Sequence, residues 1–293
     1  MNRMEERTVT RRTRELLKKH NLRLKRSLGQ NFITEDWVLD RIVEAASLDR
    51  QTGVLEIGPG IGALTERIAE EAGWVTAIET DSRLIPVLED QFATTGHVHI
   101  VEGDALQLDL QSIVKEHMAS AERYCVVANL PYYITSPLIM RLLEGGLPLE
   151  RIVIMIQKEV AERIMADPGG KDYGMLSIAV QYYAIPHWVT KVPNHVFVPR
   201  PDVDSAVIQL EVRGKPAVDV IDESLFFQVV RAAFAKRRKT LLNSISTSLP
   251  KKMSKEDVRS ALEQAGIEPN RRGETCSLAE FARLTDALAD FGM

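Results

Sequence analysis

The chain has 293 residues, 45% of them hydrophobic and 27% charged, with a formal net charge of −4 at pH 7, enough for one large domain and a smaller one around ordinary apolar cores. No apolar run approaches the roughly 18–20 residues of a membrane span, and the first 30 residues are charged where a signal peptide is apolar, so a soluble, cytoplasmic protein without a membrane partner is expected. Its two cysteines, Cys125 and Cys276, have no paired ligand spacing, which argues against a disulfide framework and against a protein-bound metal.

Charge is unevenly spread. Residues 1–30 hold ten basic side chains against three acidic ones, and Arg231, Lys236, Arg237, Arg238, Lys239, Lys251, Lys252 and Lys255 form a second basic cluster. Two basic patches on an acidic chain suggest a polyanionic partner, although each patch alone also reads as a solvated face.

From residue 53 short apolar runs alternate with helical periodicity, the pattern of an α/β fold. Strands are predicted at 53–57, 74–79, 98–102, 124–128, 152–156, 188–192 and 206–212. Helices are predicted at 63–72, with Leu64, Ile68 and Ala72 on one face, and at 136–143, 158–165 and 174–183. Ahead of the sheet, Thr34 is placed to cap a helix whose apolar face is Trp37, Val38, Ile42 and Val43. After Arg213-Gly214-Lys215-Pro216 the strand signals stop, and Ser254-Lys255-Glu256-Asp257 and Ser277-Leu278-Ala279-Glu280 both read as capping boxes. The expected organisation is a basic N-terminal segment over 1–20, an α/β domain over 21–215 and a small helical domain over 216–293.

Glu56-Ile57-Gly58-Pro59-Gly60-Ile61-Gly62 joins the first strand to the first helix. Glycines there let the backbone approach a ligand, and Glu79, at the end of the second strand, is placed to accept hydrogen bonds from ribose hydroxyls. With Ala63 the loop also satisfies a dinucleotide fingerprint, so it does not by itself choose the cofactor. Glu56 is a poor neighbour for a pyrophosphate and a good one for a sulfonium and an ammonium group, which favours S-adenosylmethionine. Glu102-Gly103-Asp104-Ala105 closes the third strand with an acid beside apolar residues, suited to an adenine.

At the end of the fourth strand stands Asn129-Leu130-Pro131-Tyr132. An exocyclic adenine nitrogen is a weak nucleophile because its lone pair is delocalised, and acceptors aimed at its two N–H bonds would localise it. Asn129 offers a side-chain carbonyl. Leu130 offers a backbone carbonyl whose direction is limited by the following proline. Tyr132 offers a ring on which a base stacks.

These stretches, with Ser27-Leu28-Gly29-Gln30-Asn31-Phe32, Gln157-Lys158-Glu159 and Val198-Pro199-Arg200-Pro201-Asp202-Val203-Asp204-Ser205, resemble the small-subunit ribosomal RNA adenine dimethyltransferases of the KsgA/RsmA type, from about residue 20 to the end. The resemblance implies a class I S-adenosylmethionine-dependent methyltransferase fold, Rossmann-like with a seven-stranded sheet and a small C-terminal helical domain. It implies a monomer that dimethylates two adjacent adenines near the 3′ end of 16S rRNA, in the 30S subunit or its precursor. It also implies cofactor contacts at Asn31, Ile33, Gly58, Glu79, Asp104 and Asn129, catalytic roles for Asn129, Leu130 and Tyr132, and a base-closing aromatic at Phe197.

Overall fold

In a computed structural model the described residues are Lys19, 31–236, 238–251 and 253–292. The N-terminal basic run apart from Lys19, the Ser27–Gln30 part of the motif above, Arg237 and Lys252 lie outside them. The chain divides into two units, one of residues 1–161 with Pro186–Val212, the other of Glu162–Ile185 with residues 213–293.

The first unit is built on strands β2 (Thr52–Ile57), β3 (Trp74–Glu79), β4 (Val98–Glu102), β5 (Arg123–Asn129), β6 (Leu149–Gln157), β7 (Ala184–Val192) and β9 (Ser205–Val212). They form one seven-stranded sheet in the order β4-β3-β2-β5-β6-β9-β7. The five from β4 to β6 pair in parallel and β9 runs antiparallel to β6. Every residue of β2 is buried, as a central parallel strand covered on both faces must be. Connecting helices are α2 (Ala63–Glu71), α3 (Ile85–Phe92), α4 (Leu110–His117) and α5 (Thr135–Glu144). The predicted stripe of Leu64, Ile68 and Ala72 is buried against Val54 and Val75 of the sheet. Because β3 lies to one side of β2 and β5 to the other, the chain reverses direction across the sheet at β2, where the strand ends open a crevice.

Helix α1 (Asp36–Ala46) precedes the sheet, and here two expectations fail. Thr34 does not cap it: the N-cap is Glu35, without a side-chain bond, while the Thr34 hydroxyl donates to the Val196 carbonyl at 2.8 Å. The buried face is Val38, Leu39, Ile42 and Ala46, and Trp37 is turned outward. The first follows from a two-residue antiparallel ribbon of β1 (Phe32–Ile33) and β8 (Phe197–Val198) that draws Thr34 toward residue 196. Two residues are too few to leave a periodic signal.

The second unit packs helix α7 (Met175–Tyr183) with α8 (Glu223–Phe234), α9 (Leu241–Ser248), α10 (Lys255–Gln264) and α11 (Leu278–Asp290). The boundary read at 215/216 therefore needs correction, because residues 162–185 group with the helices rather than with the sheet. The reason is aromatic packing: Tyr182 stacks on Phe226 with ring centres 5.0 Å apart, and the Tyr182 and Tyr183 hydroxyls both donate to Glu223, at 3.2 and 2.7 Å. Gly169 N–H also donates to the Glu274 carbonyl at 2.7 Å. The division falls within helix α6 (Lys158–Met165) and near the start of β7. Ser277 and Glu280 form a full capping box, whereas at Ser254 only the hydroxyl caps and Asp257 bonds that hydroxyl instead. Among the described residues no helix is long and apolar enough to cross a membrane.

Candidate active site

One cavity lies at the C-terminal ends of β2, β3 and β5, and the residues singled out from sequence meet in it: Asn31, Ile33, Gly58, Glu79, Asp104, Asn129, Leu130, Tyr132 and Phe197 all line it. The glycine loop forms its floor. Gly60 has φ +61°, and a Cβ built on it would stand 2.9 Å from Phe32 Cε1, so only glycine admits both the left-handed backbone and the close ring. The Gly60 N–H donates to Glu79 Oε2 at 3.0 Å and the Asp81 N–H to Glu79 Oε1 at 2.8 Å. Loop and strand end are thereby tied through one buried carboxylate, whose pKa is raised chiefly by burial. Both oxygens accept backbone donors, and the side chain lines the cavity.

Asp104, exposed at the end of β4, uses one oxygen to accept the Leu106 N–H at 2.9 Å. That is the ordinary turn role of a loop aspartate, and it occupies one oxygen of the side chain.

At the end of β5 the Asn129 side-chain nitrogen donates to the Asn31 carbonyl at 3.1 Å, which leaves Oδ1 as the free end of the amide. The Leu130 N–H donates to the Met155 carbonyl at 3.1 Å, and among the described residues nothing donates to the Leu130 carbonyl. Two unused acceptors therefore belong to consecutive residues. The Tyr132 hydroxyl shares a 3.1 Å hydrogen bond with buried Ser205, and burial raises the phenol's pKa. Phe197 is buried and pairs across the ribbon with Ile33. The loop after Phe197 is fixed by Asp204, which accepts from the Asn194 N–H at 3.0 Å and pairs with Lys191 at 2.8 Å. Its carbonyl takes the Lys158 N–H at 3.0 Å. Two separated motifs, Gln157-Lys158-Glu159 and the Pro-Arg-Pro-Asp-Val-Asp-Ser run, are thus in contact. Sequence reasoning missed Ser205 and the Asn31 carbonyl, and neither carries a local signal, since a serine and a backbone oxygen are unremarkable until their partners arrive.

Among the described residues the cavity lining contains Glu56, Glu79 and Asp104 and no Lys or Arg. A pyrophosphate would face these acids, which argues against the dinucleotide alternative, whereas a sulfonium with an ammonium group meets complementary charge. The residues present fit S-adenosylmethionine: Glu79 would hold the ribose, Asp104 the adenine, and the open glycine backbone leaves room for the methionine part. What the cofactor supplies when bound is an electrophilic methyl group.

The model for ribosomal RNA adenine dimethylases matches residues 21–290. The chain belongs to that family. Among curated relatives of these dimethylases, a protein named ribosomal RNA small subunit methyltransferase A from Shouchella clausii is 53% identical over 277 residues, covering 94% of each chain. One of the same name from Geobacillus thermodenitrificans is 52% identical over 278 residues, covering 94% of this chain and 95% of its own. Among solved structures, a dimethyladenosine transferase from Plasmodium falciparum superposes with a TM-score of 0.72 at 26% identity, over 89% of this chain and 97% of the other. The 23S rRNA methyltransferase ErmE superposes with a TM-score of 0.67 at 25% identity, over 88% and 100%. For a ribosomal RNA adenine dimethylase the fold is the class I methyltransferase fold, with its helical C-terminal part in the second unit.

Proposed function

We propose that this chain is the small-subunit ribosomal RNA adenine dimethyltransferase, which transfers methyl groups from S-adenosylmethionine to N6 of two adjacent adenines near the 3′ end of 16S rRNA. It works in the cytoplasm, as a monomer, on the 30S subunit or its precursor. The observation that carries the reading is the Asn129 amide, whose nitrogen is occupied by Asn31 and whose oxygen is left free beside the unused Leu130 carbonyl.

The residues divide the work as follows. Tyr132 stacks against a flipped adenine and Phe197 closes on its other face; a base from a single-stranded loop is already partly unstacked, so extraction costs little. Asn129 Oδ1 and the Leu130 carbonyl accept the two N6–H bonds. As the nitrogen attacks the methyl carbon, positive charge grows on N6 and both bonds strengthen, which lowers the transition state more than the ground state. The same acceptors serve the second transfer, when one N–H remains. The methylated nitrogen then loses its proton, so both transfers leave a neutral product. Holding nitrogen and methyl in line supplies much of the acceleration.

The direct test is transfer of labelled methyl groups to small subunits and to assembly precursors from cells whose 16S rRNA lacks these modifications, followed by nucleoside analysis. N6,N6-dimethyladenosine at two adjacent positions is expected. Label on another nucleoside, or on the large subunit, would overturn the proposal.

A further inference from the structure

Glu56 sits in β2 two residues ahead of the first glycine and lines the cavity, yet it is only 1% exposed. Neither of its carboxylate oxygens has a hydrogen-bond partner among the described residues, and the nearby Thr65 hydroxyl, fully buried, is likewise unpartnered. The charged group acting on it is another acid, Glu79 of β3. Behind Glu79 stands Asp81, already paired with Arg83. An ionised carboxylate enclosed in this way, without a donor or a cation, is strongly unfavourable, and such a group keeps its proton instead. Burial above all pushes its pKa to about 8; Thr65, which faces it without reaching hydrogen-bond geometry, pulls it back by less than burial raises it, and the Glu79 charge adds the smallest contribution, an upward one.

A buried acid with two empty oxygens, in a cavity whose described lining holds no basic residue, lacks one thing: a positive charge. We propose that Glu56 is a proton-linked charge sensor, releasing its proton to solvent when a sulfonium cation enters the cavity and regaining one when the neutral thioether takes its place, so that the pocket prefers fresh cofactor to spent product. The idea rests on the methyltransferase reading and deepens it. Dimethylating two adenines requires repeated cofactor exchange on one RNA. Each transfer leaves the ligand's ammonium group in place and changes only the sulfur, from a sulfonium to a thioether of almost the same shape, so the charge that Glu56 senses in this proposal is the sulfonium's. Shape alone discriminates poorly between the two; a carboxylate that ionises only opposite a cation discriminates by charge.

Calorimetric titration of the full-length wild type and Glu56→Gln with S-adenosylmethionine and S-adenosylhomocysteine, between pH 6 and 9 and in buffers of different ionisation enthalpy, tests this. Glutamine matches the protonated acid in shape and hydrogen bonding, and each ligand's own amine titrates against both proteins alike, so it cancels in the comparison. At pH 7 the wild type should release close to one proton more than the variant on binding S-adenosylmethionine. Relative to the variant, its affinity for that ligand should rise up to about tenfold per pH unit and level off near pH 8. With S-adenosylhomocysteine the proton counts of the two proteins should agree. In the wild type alone, the infrared band of a protonated carboxyl should be present in the free and thioether-bound forms and lost with the sulfonium, a readout that does not depend on the variant folding. Equal proton counts and equal ligand preference in the two proteins, or a carboxyl band indifferent to the ligand, would overturn the proposal. Failure of the wild type to bind either ligand would overturn the methyltransferase reading, and this inference with it.

Discussion

The Asn129 side-chain nitrogen donates to the backbone carbonyl of Asn31 across 98 residues of sequence, at 3.1 Å. That bond decides which end of the amide is left to act, and so turns an ordinary strand-end asparagine into an acceptor. Asn129→Ala should lower single-turnover rates of both methylations by roughly 10²–10³, the loss seen for a preorganised group that stabilises developing charge. Rapid quench at saturating cofactor measures it; rates near wild type at full cofactor occupancy would sink the assignment.

Glu79 holds Gly60 and Asp81 through separate oxygens. Glu79→Ala removes the proposed ribose acceptor and orphans the backbone donors of Gly60 and Asp81. S-adenosylmethionine binding should weaken by about 1.5–3 kcal/mol, and the melting temperature should fall as well. Calorimetry on the folded variant, with RNA affinity as the control expected to change little, separates the two effects. Unaltered cofactor affinity would count against the ribose role.

Tyr132 meets Ser205 through its hydroxyl and the cavity through its ring. Tyr132→Phe keeps the stacking face and should retain most activity, with a stability loss of about 1 kcal/mol from the broken hydrogen bond. Tyr132→Ala should weaken base capture by about 1–3 kcal/mol. Equal damage from the two substitutions would show that the hydroxyl, not the ring, matters.

Lys236, Arg238 and Lys239 are exposed in the turn between α8 and α9. Charge reversal at all three should weaken RNA binding and flatten its dependence on salt, because phosphate contacts release counterions. Cofactor affinity should survive. An unchanged slope of log affinity against log salt would make the cluster a solvated surface.

Glu56 also predicts how stability depends on pH. Its pKa rises from an ordinary 4.5 to about 8 in the folded protein, so below the lower value both states are protonated and it costs nothing. Between the two values the unfolded chain ionises while the folded one holds its proton, and stability falls by up to about 1.4 kcal/mol per pH unit, levelling off above 8. Thermal melts without cofactor should show Glu56→Gln gaining on the wild type from pH 5 to pH 8. Parallel melting curves would show that the acid titrates normally.

What the sequence by itself determined is local. The glycine loop, the acid closing β3, the alternation of strands and helices and the pre-proline carbonyl at Leu130 each depend on neighbours within a few residues, where steric and periodic rules act. They were enough to bring Glu56, Glu79, Asp104, Asn129, Leu130 and Tyr132 into view, while Asn31, Ile33 and Phe197 came only through the family resemblance. Tertiary structure decided the rest. The ribbon of Phe32–Ile33 with Phe197–Val198, the Tyr132–Ser205 hydrogen bond, the grouping of Tyr182 with Phe226 and the isolation of Glu56 all join residues far apart or depend on a partner being absent. A hydrogen bond between distant residues leaves no periodicity in either segment. Whether a buried carboxylate is paired or alone is a property of the assembled cavity, because its charge is set by the groups that surround it in space.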